Sequence, residues 1–128
     1  MPPSRSSRAY TLPPWLFTTA TAIAAITYAP LTIDLLPTPC QPIAFVMGAA
    51  LLIVAATPYY RTEATALHNI GGWLAAACAT AAVAITHPCT LAAWALYIPF
   101  RHAECRTFVA ECICTATLTI AIAINLLK

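Results

Sequence analysis

The stretch IAFVMGAALLIVAA, residues 43–56, carries no charged or hydrogen-bonding side chain, and residues 74–85, LAAACATAAVAI, break the same pattern only at Cys78 and Thr80. A transmembrane β-strand would alternate apolar and polar residues in segments of about ten. Two continuous, Ala-rich runs without alternation point to helices instead. The rest of the chain matches them. Of 128 residues, 61% are hydrophobic and 8% charged, and the mean hydropathy is +0.79. A soluble domain carries roughly 25% charged residues. The expected fold class is therefore all-α: a polytopic integral membrane bundle. High hydrophobicity excludes disorder, 3 glycines exclude collagen, and a net charge of +2 without a basic run speaks against nucleic acid as a partner.

A helical span needs about 20 mostly apolar residues, so this length holds four or five spans and no additional soluble domain. Residues 1–12 contain Pro2, Pro3, Arg5 and Arg8 without hydrophobic periodicity, and they are expected to form a flexible cytoplasmic tail. Residues 13–128 then make one membrane domain. Its spans are expected near 14–36, 43–60, 64–86, 89–101 and 107–127, separated by proline-rich or charged turns. Pro30 falls inside the first span, where it should bend the helix. The apolar part of the fourth, residues 91–100, is about half the usual length; if it does not cross, four spans remain. The first apolar stretch exceeds the roughly 7–15 residues of a cleaved signal, and Ala29 precedes Pro30, so it is expected to stay as a signal anchor.

Five spans with the N-terminus inside put Arg5, Arg8, Arg61, Arg101 and Arg106 on the cytoplasmic side and only Lys128 outside. That is the charge bias of an inner or plasma membrane protein. The outer turns would carry no formal charge.

Ionisable groups within spans are costly and mark function by default. By this topology His68, Asn69 and Glu111 share the cytoplasmic half, beside Arg61, Glu63, Arg101, Glu104 and Arg106, which are expected to close supporting ion pairs at the helix ends. Thr107, Glu111, Thr115 and Thr119 repeat at four-residue spacing, and Thr65, His68, Asn69, Gly72 and Ala76 form a similar stripe. Facing each other, these stripes would bring Glu111 to His68 as a proton-handling or substrate-binding pair. The same residues also suit plain interfacial anchoring. Gly71 with Ala75, and Gly72 with Ala76, provide small-x-x-x-small faces that let another helix approach closely.

The 6 cysteines show no Cys-x-x-Cys, and Cys112 and Cys114 point to different sides of a helix, so no metal site is expected. Cys40 and Cys89 both fall in outer turns, where a disulfide between them is allowed. His68 and His87 lie about 28 Å apart along one helix, too far to share a haem, and no cofactor is expected. Dinucleotide, Walker, zinc-protease and serine-hydrolase motifs are absent. Two functional expectations remain: a small permease or channel-like transporter, acting as a homo-oligomer or within a larger complex in the lipid bilayer, or a non-catalytic accessory subunit or scaffold packed against a larger partner. An enzyme is the least favoured class.

Overall fold

The computed structural model describes residues 13–57, 65–104 and 106–128. Among them are four α-helices: α1 (Pro14–Leu35), α2 (Pro42–Ala56), α3 (Thr65–Thr86) and α4 (Arg106–Leu126). A short 3-10 turn, Thr38–Cys40, joins α1 to α2, and a 13-residue 3-10 helix, Pro88–Phe100, lies between α3 and α4. No strand occurs among the described residues. The expected all-α bundle is what forms. α1, α3, α4 and the continuous segment Thr38–Ala56 are long and apolar enough to cross a membrane, and Pro88–Phe100 is shorter.

Prolines set the helix boundaries. Pro14 and Pro42 occupy first-turn positions of α1 and α2, where a missing N–H costs nothing. Three helices stop at the residue before a proline, which is pushed out of the α region by the following ring. Leu36, before Pro37, is extended at φ −88° and ψ 143°. Thr57, before Pro58, has φ −115° and ψ 73°. His87, before Pro88, has φ −140° and ψ 63°. Each of the three still donates its own N–H to a carbonyl four residues back.

Several threonines inside these apolar helices bond to their own backbone, although the buried Thr32 hydroxyl in α1 has no hydrogen-bond partner among the described residues. Thr117 donates to the Ile113 carbonyl at 2.8 Å, Thr115 to that of Glu111 at 2.9 Å and Thr86 to that of Ala82 at 2.8 Å. No solvent is needed to satisfy them.

Helix directions follow from which residues meet. A Cβ at Gly48 of α2 would lie 2.9 Å from Ala29 of α1, and one at Gly71 of α3 would lie 3.0 Å from the Ala50 carbonyl and 3.1 Å from both Ile53 and Val54. The small face of Gly71, Ala75 and Ala79 is therefore spent inside the bundle, against α2. Phe17 and His68, near the starts of α1 and α3, bring their rings within 5.8 Å. At the other end Leu35, Leu36, Ala44, Met47, Ala79, Ala82, Val83, Leu118, Ala121 and Ile122 form the buried core. So α1 and α3 run together and α2 runs against them.

α4 runs in the direction of α3. Thr80 meets Cys114 at 3.7 Å, while Ala82 and Val83 share the core with Leu118 and Ala121. α3 thus finishes at the Val83 end, whereas α4 starts at the His68 end. Pro88–Phe100 must return along the whole bundle in 13 residues. As an α-helix it would rise about 20 Å, whereas 3-10 winding carries it about 26 Å. Where a fourth span was expected at 89–101, the structure has this 3-10 helix, shorter than the four apolar helices. Its ridges follow the threefold repeat, with Leu91, Trp94 and Tyr97 half-buried and Cys89, Ala92, Ala95 and Ile98 exposed.

The expected N-terminal tail, residues 1–12, and the expected end of the second span, residues 58–60, lie outside the described residues, as do Arg61, Glu63 and Cys105.

Candidate functional site at the His68 end

One face of α3 is half-buried along its length. Thr65, His68, Gly72, Ala76 and Thr80 repeat at helical spacing on it. Thr80 closes that face against Cys114 of α4. Toward the His68 end the two helices leave room, since a Cβ added at Gly72 meets no atom within 4 Å. Above the Thr80–Cys114 contact, the half-buried face of α3 thus opens at Gly72, and this open stretch toward His68 is the cleft referred to below. Beyond that contact lies the close-packed core around Val83, which is fully buried.

His68 and Glu111 are the ionisable groups of this cleft. The His68 ring lies within electrostatic reach of the Glu111 carboxyl, although the two come from helices joined by a long connection. Glu111 is exposed on α4, where it shares a surface concavity with Cys112, Thr115 and Ala116. His68 is held from the other side. Its Nδ1 lies 2.6 Å from the Thr57 carbonyl oxygen. A carbonyl only accepts, so Nδ1 carries the hydrogen and donates it. The Phe17 ring, tilted 35° to the imidazole, covers it further.

Tyr28 of α1 and Thr119 of α4 close the seam farther up, at 2.8 Å. The Thr119 hydroxyl already donates to the Thr115 carbonyl at 2.7 Å. Tyr28 is therefore the donor and Thr119 the acceptor.

Asn69 is not drawn in: it is exposed on the neighbouring face of α3. Arg101, Glu104 and Arg106 are exposed around the same end, at the turn that leads from the 3-10 helix into α4. Cys40 and Cys89 are free thiols. Cys40 packs against the core at the α1–α2 turn, whereas Cys89 sits on the outward ridge of the 3-10 helix. Cys40 is half-buried and Cys89 exposed. Among the described residues no group of three or more His, Cys, Asp or Glu side chains is placed to hold a metal ion.

Sequence reasoning overlooked three contributors: Thr57, Phe17 and Thr80. A signal existed for the first, because Thr57 precedes Pro58 and a terminated helix leaves carbonyls without intrahelical partners. No sequence signal distinguishes Phe17 or Thr80 from other lining residues. No protein-family model, curated protein or solved structure matches the chain.

Proposed function

We propose that the chain is a multi-pass integral membrane protein of the plasma or inner membrane, with a cytoplasmic N-terminus, that passes protons or a small cation by way of His68 and Glu111. The observation that supports this reading is that His68 of α3, oriented by the Thr57 carbonyl, lies within electrostatic reach of Glu111 on α4. Ionisable side chains within membrane-spanning helices are costly to keep for packing alone. The Thr57 carbonyl fixes Nδ1 as the donor and so sets the orientation of the imidazole. Five short segments enclose little volume, so the transporting unit is proposed to be an oligomer.

The test is proton flux in proteoliposomes loaded with a pH-sensitive dye and driven by a potassium diffusion potential. Wild-type protein should acidify or alkalise the lumen faster than empty vesicles, and Glu111→Gln and His68→Ala should abolish the difference while remaining inserted. A wild type no faster than empty vesicles would defeat the transport reading. The accessory-subunit reading would then gain from a specific feature of α4: Cys112, Thr115 and Ala116, all small, are exposed on one surface beside Glu111, a face suited to close helix approach.

A further inference from the structure

We infer that Pro88–Phe100 is a two-state element, wound as a 3-10 helix in a thick bilayer and as an α-helix in a thin one. The inference rests on the membrane placement proposed above but not on transport. Runs of 3-10 helix beyond three or four residues are uncommon, because the hydrogen bonds are poorer and side chains at i and i+3 eclipse. This run has 13 residues. Its composition disagrees with its winding: residues 91–96 read LAAWAL, and Ala and Leu are the strongest α-formers. Local preference and observed conformation conflict, which marks a segment held by its surroundings.

The surroundings hold it weakly. None of its residues is fully buried. Trp94 is half-buried against Tyr97, with ring centroids 6.0 Å apart, yet its indole Nε1 is buried without a hydrogen-bond partner among the described residues. The Nδ1 of His87, at the residue where the 3-10 helix begins, is buried and unpartnered in the same way. What favours the long form is length. The segment must reach from the Val83 end to the His68 end, and only 3-10 winding brings it near the thickness of a hydrocarbon core. A thinner bilayer removes that demand, and mismatch costs of fractions of a kcal/mol per Å suffice to shift a closely balanced pair of states. Rewinding to 3.6 residues per turn also carries Tyr97 off the Leu91–Trp94 ridge and brings Ile98 toward it.

Two exposed positions read the change. With Cys40, Cys78, Cys105, Cys112 and Cys114 replaced by alanine, spin labels at Cys89 and at a Phe100→Cys position report the length of the segment in full-length protein. The backbone separation is about 22 Å in the 3-10 form and about 16 Å in the α form. In phosphatidylcholine vesicles with 22-carbon and 14-carbon monounsaturated chains, the expected result is a shift of about 6 Å toward the shorter distance in the thin bilayer. One distance, unchanged between the two, overturns the inference. If the cysteine replacements impair folding, a Trp15→Phe, Trp73→Phe variant leaves Trp94 as sole tryptophan with every cysteine native. Its emission should differ between the two bilayers as Tyr97 departs, and identical emission in both overturns the inference.

Discussion

Thr80 and Cys114 touch at 3.7 Å across α3 and α4, and this contact orders the last third of the chain. Together with the shared burial of Val83 and Leu118, it makes the two helices parallel. Parallel neighbours in sequence need a connection that runs back along the bundle, so the contact requires Pro88–Phe100 to traverse its length. A Thr80→Cys variant, with Cys78 and Cys112 changed to alanine, should form a disulfide with Cys114 under mild oxidation in membranes. The mobility shift on a non-reducing gel checks it, with Thr80→Cys, Cys114→Ala as the control that should not shift.

Two adjacent glycines should behave differently. A Cβ at Gly71 would lie 3.0–3.1 Å from the Ala50 carbonyl, Ile53 and Val54, so Gly71→Ala is expected to destabilise the bundle by about 1–3 kcal/mol, the range for inserting a methyl into packed surroundings. Gly72 has open space where its Cβ would stand. Gly72→Ala should be neutral or slightly stabilising, since alanine suits a helix better by about 1 kcal/mol. Unfolding titrations in mixed micelles separate the two.

The Tyr28–Thr119 hydrogen bond is the polar tie between α1 and α4. Tyr28→Phe and Thr119→Ala should each cost about 0.6 kcal/mol, the usual size of such bonds inside membrane bundles. Because both variants remove one interaction, the double variant should cost little more than either alone. A fully additive double variant would show that the bond contributes nothing to stability.

Neighbouring residues on α3 should part company in function. Asn69 is exposed on the face next to the cleft, while His68 lines the cleft and is oriented by Thr57. Asn69→Ala is expected to retain wild-type proton flux in the vesicle assay, and His68→Ala to lose it. Equal loss in both would mean that the cleft does not define the path.

Much of this arrangement was legible in the sequence because prolines and hydrophobic runs act locally. Leu36, Thr57 and His87 end their helices for a reason visible in the next residue, and the runs around Met47 and Ala79 are the ones that pack. The winding of the connection before α4 was not legible. Residues 91–96 read as α-helix on propensity. Their 3-10 winding is imposed by the distance between the end of α3 and the start of α4, which no local pattern encodes. The approach of His68 and Glu111 depended on two stripes facing each other, and periodicity gives a stripe but not its partner. Asn69 shows the limit: one residue from His68 in sequence, it is about 100° away on the helix.

The most direct measurement is the sidedness of the two ends of the 3-10 segment. Cys89 lies at its start and His102 just past its end, both exposed. In sealed cells expressing variants with one reactive cysteine, at position 89 or at a His102→Cys position, an impermeant thiol reagent should label position 89 from outside. Position 102 should react only after the membrane is opened. Labelling of both positions from the same side would contradict the proposed course of Pro88–Phe100 across the membrane, and with it the proposed placement of His68 and Glu111 toward the cytoplasmic face.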